Sequence, residues 1–282
     1  MTRTLYITDL DGTLLNSDSR VSERSKAILS DLVTRHNILF TIATARTPAT
    51  AVELMSGVPT RIPLIVMAGA AMWDTALGEY VNTVPIPEES VQRLCTAYEA
   101  HGVHPFVYRN HHGVLHAYHH TSVDDDERHF MGERTSSPYK RFVVAAEPYS
   151  ASAAPTLLIF AMNRFKLLDA VQRDIIAARI PCHSVCYHDI FNHDNGILEV
   201  YAPGVTKAAA VTRLKEQTGA DRLVVFGDNL NDREMMQAAD YSVAVENAFD
   251  EVKAIADETI EANTADSVAR WIAADVERNL NG

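Results

Sequence analysis

LYITDLDGTLLNSD, residues 5–18, begins with an apolar segment. Two aspartates, Asp9 and Asp11, end this segment, and Gly12 follows them. A continuous apolar run is typical of a strand that is covered on both faces, as in a parallel sheet. Two carboxylates at the end of such a strand repel each other and are costly to desolvate unless something compensates them. The stretch therefore predicts a buried strand that delivers carboxylates to a polar site.

The segments around this stretch predict a doubly wound α/β fold with a mostly parallel sheet. Strands and helices alternate, and this order implies parallel strands joined by right-handed crossovers. Ser22 is suited to cap the first helix, and Pro48 to begin the second. The predicted strands are 4–8, 38–43, 64–67, 223–226 and 242–245, and the predicted helices are 22–35, 48–55, 207–218 and 233–239.

Between about residues 84 and 201 the alternation changes, and the sequence predicts an inserted α+β domain built on an antiparallel sheet. The core domain then consists of residues 1–83 and 202–282. Linkers near Asn82–Pro87 and Tyr201–Gly204 are expected to act as a hinge. The acidic stretch Asp124–Glu127 is predicted to be a solvated turn.

Oxygen-bearing side chains stand at the ends of several predicted core strands. Asp9 and Asp11 follow the first strand, Thr44 ends the second, and Asp228 and Asp232 follow a later one. Ligands of open parallel sheets bind outside the carboxyl ends of the strands, so these groups are expected to converge. Carboxylate oxygens are ligands that Mg²⁺ prefers.

Each of these motifs also has a simple structural explanation when it is taken alone. Asp9–Gly12 resembles a solvated turn after an edge strand, and Thr44 is a common strand-end residue. A helix cap explains one aspartate of Gly227–Asp232, but not both. Lys207 opposes the dipole of the helix that it begins, which indicates an anionic partner, although an exposed lysine is the alternative.

Taken together and in this order, the motifs resemble those of the haloacid dehalogenase superfamily of phosphohydrolases. The similarity rests on DLDGT at Asp9–Thr13, on Thr44, on Lys207 and on GDNLND at Gly227–Asp232. The insertion resembles the cap of the Cof-type branch of that superfamily. The likeness extends to the later segments VAVENA (243–248) and ANTADSVARWI.

The resemblance implies an aspartyl-phosphate mechanism. Asp9 is expected to attack phosphorus, and Asp11 to protonate the leaving oxygen and then deprotonate water. Lys207 is expected to neutralise Asp9 and the transferring group. Because the departure of a halide needs no proton donor, Asp11 favours phosphate-ester hydrolysis over dehalogenation.

The resemblance also implies a magnesium cofactor and a set of phosphate contacts. Mg²⁺ is expected to bind the Asp9 carboxylate, the Asp11 backbone carbonyl and Asp228, with Asp232 in support. The metal lets an anionic nucleophile approach an anionic phosphate. The residues expected to contact phosphate are Thr44, Ala45, Lys207 and Asn231.

The expected substrate is a small phosphorylated metabolite such as a sugar phosphate, with the cap closing over its leaving group. Arg46, His183 and His188 are candidate substrate contacts, and Asp189 and Asn195 are further possibilities in the inserted domain. Two positions depart from the Cof-type pattern. Ala68 replaces the usual asparagine after the third strand, which removes two donors and an acceptor, and Ala45 replaces a glycine.

Composition restricts the partners and the compartment. The net charge of −12 opposes binding to nucleic acid or to an anionic membrane surface. The N-terminus has no apolar leader segment, and three cysteines do not suggest a disulfide framework, so a soluble cytoplasmic protein is predicted. A zinc site at Cys182 and Cys186 is disfavoured, because paired ligand spacings are missing.

Two alternative functions remain open at this point. A phosphosugar mutase would use the same nucleophile and return the phosphoryl group to a sugar. A non-catalytic regulatory or binding protein would be expected to have lost Asp9, Asp11, Lys207 or Asp228, and this chain keeps all four. The oligomeric state is not predicted.

Overall fold

A computed structural model describes residues 2–132, 134, 136–150, 152–189 and 194–281 of the chain. The chain divides into two compact units, Met1–Val81 with Thr206–Gly282 and Asn82–Val205. The first is called the core unit below and the second the inserted unit. Strands and helices are numbered in chain order along the whole chain. Every helix in the described residues is too short or too polar to cross a membrane.

The core unit is built on a parallel sheet with the strand order β14–β13–β12–β1–β2. Strand β1 lies between β12 and β2, and all five of its residues are buried. Both faces of β1 are covered, which explains why its sequence is apolar without alternation. The strands are β1 (Thr4–Thr8), β2 (Leu39–Ile42), β12 (Arg222–Gly227), β13 (Tyr241–Val245) and β14 (Glu258–Ile260).

Two helices of the core unit begin at residues whose side chains cap them. Ser22 Oγ accepts a hydrogen bond from the Ser25 N–H at 2.9 Å, and Thr206 Oγ1 accepts one from the Ala209 N–H at 3.1 Å. The helix predicted over 207–218 is present with the same bounds. The core helices are α1 (Glu23–Arg35), α2 (Pro48–Leu54), α6 (Lys207–Thr218), α7 (Arg233–Gln237), α8 (Asp250–Lys253) and α9 (Ser267–Asn281).

A small antiparallel sheet, β3–β4–β5, continues the core beside the end of β2. Its first strand meets the main sheet through a parallel bridge between Ala43 and Ile65. This bridge places the turn after β3 next to the segment that contains Thr44. The strands are β3 (Leu64–Val66), β4 (Ala71–Asp74) and β5 (Glu79–Val81).

The inserted unit contains a sheet with the order β10–β11–β9–β6–β7–β8. Its pairs are antiparallel, as predicted, except that β8 runs parallel to β7. The long helix α5 packs against α3 and against β9, β10 and β11. The strands are β6 (Phe106–His111), β7 (Val114–His119), β8 (Lys140–Val144), β9 (Thr156–Arg164), β10 (His183–His188) and β11 (Asn195–Tyr201). The helices are α3 (Glu88–Glu99), α4 (Asp125–Gly132) and α5 (Phe165–Ala177).

The acidic stretch Asp124–Glu127 begins a helix, so its prediction as a solvated turn was wrong. Asp124 Oδ1 accepts a hydrogen bond from the Glu127 N–H at 2.8 Å, and Glu127 Oε2 accepts one from the Asp124 N–H at 2.9 Å. This reciprocal pair is a capping box, formed here by Asp and Glu, and it begins α4. Glu127 is buried in consequence.

Candidate active site

The carboxyl ends of the parallel core strands bring the predicted site residues to one edge of the sheet. Asp9 directly follows β1, and its N–H donates to the Phe226 carbonyl of β12 at 3.0 Å. On the other side, the Ala43 N–H donates to the Thr8 carbonyl at 2.9 Å. The sheet pairing thus extends past β1 and fixes the Asp9 backbone between the loops that follow β2 and β12.

Three carboxylates and one ammonium form the centre of this edge. Asp9, Asp228 and Asp232 each offer an oxygen, and these oxygens lie within 4.8 Å of one another. Lys207 Nζ lies 2.5 Å from Asp9 Oδ1 and 2.8 Å from Asp232 Oδ1. All four residues are at most 9% exposed. The position of Lys207 at the start of α6 predicted an anionic partner. In the structure that partner is the pair Asp9 and Asp232.

The charges in this cluster do not balance. Burial raises the pKa of Asp228 to about 6, although the bond from Thr13 opposes the shift. Burial also raises the pKa of Asp9 above its usual range, against the effect of Lys207, and the charges of Asp232 and Asp228 add to the rise. Burial would lower the pKa of Lys207, but Asp232 and Asp9 together raise it. One ammonium faces three buried carboxylates, and a divalent cation with oxygen ligands fits this donor set.

Glycines allow the two acid-bearing loops to approach each other closely. Gly12 has a φ of +79°, and a Cβ at this position would overlap Asp228 Oδ2. A Cβ at Gly227 would lie 2.7 Å from the Cβ of Asp232. At both glycines of the motifs, the backbone therefore packs directly on a carboxylate residue of the cluster.

Hydrogen bonds from the chain orient two of the carboxylates. Thr13 Oγ1 donates to Asp228 Oδ1 at 2.6 Å. Asp232 Oδ2 accepts from the backbone N–H groups of Asp228 and Asn229, each at 3.1 Å. Because Asp232 Oδ1 binds Lys207, both oxygens of Asp232 are engaged by the protein itself. Thr13 was part of the quoted motif, but sequence reasoning gave it no role.

Asp11 lies outside the carboxylate cluster and pairs with Arg46. Arg46 Nε and a terminal guanidinium nitrogen each lie 2.7 Å from one oxygen of Asp11. The side chain of Asp11 is 53% exposed. The bond to Asp11 raises the pKa of Arg46, and burial opposes this rise. Arg46 thus pairs with Asp11 in the structure, and its expected contact with a substrate stays a prediction.

The residues predicted to contact phosphate lie in the loops at the same edge. Thr44 is 1% exposed, and its Oγ1 accepts a hydrogen bond from the Arg46 N–H at 3.1 Å. Its own N–H donates to the Ile65 carbonyl at 3.0 Å. Ala45 follows it in the same loop, and Asn231 lies in the turn Leu230–Asp232 with an exposed side chain.

The other candidate substrate residues belong to the inserted unit. His183 and His188 are at the two ends of β10, and the ring of His188 stacks on Phe165 with 3.6 Å between centroids. Asp189 follows β10, and its N–H donates to the Asn195 carbonyl at 3.0 Å. Asn195 Nδ2 donates to Asp126 Oδ2 at 2.9 Å. Their contact with a substrate remains a prediction.

Ala68 adopts a backbone conformation that suits asparagine better than alanine. Its φ is +52°, in the left-handed region, where asparagine is enriched because its side chain can hydrogen-bond locally. The Ala68 N–H donates to the Thr44 carbonyl at 2.9 Å, so the strained turn also holds the Thr44 loop. The departure from the Cof-type pattern therefore has a conformational cost.

We expect Ala68→Asn to raise the free energy of unfolding by about 0.5–1 kcal/mol, because asparagine adopts this conformation with less strain. Urea denaturation of the two proteins measures the difference. Ala70→Asn is the matched control. Ala70 has a right-handed φ of −63° and is fully buried, so asparagine there is expected to destabilise the protein. A loss of stability in Ala68→Asn would contradict the prediction.

Sequence comparisons identify the family of the chain. The profile of the haloacid dehalogenase-like hydrolases matches residues 6–272. The 5-amino-6-(5-phospho-D-ribitylamino)uracil phosphatase YitU of Bacillus subtilis is 24% identical over 290 residues, which cover 95% of this chain and 96% of that protein.

Solved structures share the fold over nearly the whole chain. The structure of TM0651 from Thermotoga maritima matches with a TM-score of 0.77 at 22% identity, covering 99% of this chain and 97% of that one. The subclass IIB sugar phosphatase BT4131 matches with a TM-score of 0.74 at 18% identity, covering 97% of this chain and 99% of that one. The α/β core with an inserted α+β domain, predicted from the sequence, is thereby confirmed. The chain belongs to the haloacid dehalogenase-like hydrolases, in their Cof-type branch, and is an enzyme of the phosphatase class.

Proposed function

We propose that the protein is a Mg²⁺-dependent phosphomonoester hydrolase that cleaves a small phosphorylated metabolite through an aspartyl-phosphate. The observation that carries the proposal is the buried Asp9–Lys207 pair beside two further carboxylates. A carboxylate that only stabilised the fold would not need two further buried carboxylates beside it that share its single ammonium. A nucleophile in a site that binds a cation and a phosphate does need this arrangement.

Asp9 is the nucleophile in this proposal. A carboxylate oxygen of Asp9 forms a bond to phosphorus while the bond from phosphorus to the ester oxygen breaks, and the leaving oxygen takes a proton from Asp11. Water then attacks the phosphorus and gives its proton to Asp11. The acyl-phosphate bond breaks, which regenerates Asp9 and releases inorganic phosphate. The sum of the two steps is the hydrolysis of one ester by one water molecule.

Lys207 holds the nucleophile in place and offsets its charge. Its ammonium lies 2.5 Å from Asp9 Oδ1, and its second contact, to Asp232, fixes the direction from which it approaches. Asp9 and Asp228, with the Asp11 carbonyl, are the groups that would hold Mg²⁺, and Asp232 would support them. When bound, Mg²⁺ supplies positive charge that lets the anionic reactants meet and that stabilises the charge of the transition state.

Asp11 is placed differently from Asp9, as an acid and base requires. Its carboxylate lies outside the buried cluster and is half exposed, so a leaving oxygen and a water molecule have access to it. The two bonds from Arg46 fix the orientation of both carboxylate oxygens. Arg46 is therefore proposed to position Asp11.

The proposed substrate class is the phosphate esters of sugars and sugar alcohols. Two proteins similar to this chain support it, since one is named for a phosphorylated ribitylamino compound and the other is described as a sugar phosphatase. Both substrates place a phosphate on a polyhydroxylated carbon chain. Ala68 stands where the Cof-type pattern has asparagine, so a contact to the leaving group at this position would have no side-chain hydrogen-bond donor.

Phosphate release from a panel of esters tests the proposal. The panel contains sugar phosphates, sugar-alcohol phosphates, nucleotides, pyridoxal phosphate and p-nitrophenyl phosphate, each assayed with Mg²⁺ and with EDTA, with Asp9→Asn as the blank. We expect Mg²⁺-dependent release that is absent from the blank and fastest with the polyol esters. Metal-independent release, or equal release in the blank, would overturn the mechanism. Isomerised sugar phosphate without free phosphate would identify a mutase instead.

A further inference from the structure

The loop between β13 and α8, residues 246–249, contacts both loops that carry the acidic residues of the site. Asn247 Nδ2 donates to the Gly12 carbonyl at 2.7 Å, and the Phe249 N–H donates to the Asp228 carbonyl at 2.9 Å. β13 pairs in parallel with β12, so the loop that follows it reaches the same edge of the sheet. One short loop thereby bonds to the chain on both sides of the carboxylate cluster.

Asn263 fixes the orientation of the Asn247 amide. The Asn263 N–H donates to Asn247 Oδ1 at 2.9 Å, and Asn263 Nδ2 donates to the Leu15 carbonyl at 2.6 Å. A backbone N–H can only donate, so the oxygen of the Asn247 amide must face Asn263. Its nitrogen then faces the Gly12 carbonyl, which can only accept. The amide cannot be turned around without losing both bonds.

The Gly12 peptide that Asn247 holds lies directly against a carboxylate of the cluster. Gly12 packs so closely on Asp228 that a side chain there would overlap Asp228 Oδ2, and the next residue, Thr13, bonds Asp228 Oδ1 at 2.6 Å. A displacement of Gly12 therefore moves the Asp11–Gly12 peptide and Asp228 relative to each other. These are groups that the proposed function assigns to the cation.

We propose that Asn247 is a positioning residue for the cation site, whose amide holds the Gly12 peptide at a fixed distance from Asp228. It acts through Gly12 and does not contact the ion. This inference rests on the proposed function, because that function supplies the Mg²⁺. The segments VAVENA (243–248) and ANTADS (262–267) supply Asn247 and Asn263.

The alternative is that the hydrogen bonds of Asn247 and Asn263 only tether surface loops. The side chain of Asn247 is exposed, and a hydrogen bond that water can replace contributes about 1 kcal/mol or less to folding. A simple tether predicts a small loss of stability in Asn247→Ala and no specific effect on its affinity for Mg²⁺. A positioning role predicts weaker Mg²⁺ binding that is out of proportion to any loss of stability.

Calorimetric titration of Mg²⁺ into the metal-free protein distinguishes the positioning role of Asn247 from a simple tether. We expect Asn247→Ala to weaken Mg²⁺ binding about fivefold. Asn263→Ala is the matched control, because it loses the bond to Leu15 but keeps the backbone N–H that orients Asn247. Its Mg²⁺ affinity is expected to stay within about twofold of the wild type. Thermal unfolding in EDTA is expected to differ little between the two variants.

Turnover as a function of Mg²⁺ concentration gives a second readout. The activity of Asn247→Ala is expected to recover towards that of the wild type as Mg²⁺ is raised, since the residue does not touch the reacting atoms. Equal Mg²⁺ affinity in Asn247→Ala and wild type would overturn the inference and leave the proposed function standing. Equal weakening in both variants would also overturn it in favour of a tether. A wild-type protein that does not bind Mg²⁺ would overturn both proposals.

Discussion

Asp9→Asn is expected to lower phosphate release by at least about 10⁴-fold, the scale seen when a nucleophile is removed and binding contributions remain. The amide that replaces the carboxylate is nearly the same size but cannot attack phosphorus. The variant is nevertheless expected to fold. Burial already raises the pKa of Asp9, so a neutral side chain relieves a desolvation cost in the metal-free protein.

Initial rates at saturating substrate, together with a urea denaturation curve, measure the two effects separately. Asp31→Asn is the control, because Asp31 is a partly exposed residue of α1 that pairs with Arg35 at 3.0 Å. It is expected to keep wild-type activity. The nucleophile assignment would be wrong if Asp9→Asn kept more than a few per cent of the activity while folded.

Lys207→Met is expected to have the largest effect on stability. It leaves Asp9 and Asp232 buried without their ammonium, and breaking a buried ion pair on one side typically costs about 3–5 kcal/mol. The loss is expected to be greatest without metal and to shrink when Mg²⁺ is added, because the cation supplies part of the missing charge. Turnover is expected to fall by at least about 10²-fold, as when a donor to a developing anion is removed.

Lys215→Met is the matched control for this prediction. Lys215 lies in the same helix and also pairs with an aspartate, Asp240, at 2.6 Å, but both side chains are partly exposed. Exposed pairs contribute about 1 kcal/mol or less, so this variant is expected to remain close to the wild type. Equal urea midpoints for the two variants would contradict the assignment of Lys207 as the neutralising cation of a buried site.

The convergence of the three carboxylates could be predicted from the sequence because it depends on local features. Asp9 and Asp228 directly follow strands, and Asp232 lies in the turn after Asp228. The rule that parallel strands present their carboxyl ends at one edge therefore brings the three acids together without coordinates. Likewise, the threonine before Lys207 and the glycine after Thr218 mark the ends of α6. Features of this kind depend on a few adjacent residues and on the strand direction.

Other features depend on contacts between distant segments, and the sequence did not predict them. The pairing of Arg46 with Asp11 joins two loops that are 35 residues apart. The bond from Asn247 to Gly12 spans 235 residues. The capping box at Asp124 uses residue types that also suit a solvated turn, so the residue types alone do not distinguish the two. β8 pairs in parallel with β7, and local periodicity does not predict the direction in which two strands pair.

The pairing of β1 with β12 also determines when during synthesis the site can form. Thr4 pairs with Arg222, and residues 82–205 of the inserted unit lie between them in the chain. Closing so long a loop is entropically unfavourable and slows folding, unless the intervening segment is already compact. Asp9, the proposed nucleophile, is translated before residues 82–205, and Lys207, Asp228 and Asp232 are translated after them. Until β12 has been synthesised, the apolar strand β1 lacks this neighbour. Early folding of the inserted unit shortens the loop that must close when β1 pairs with β12.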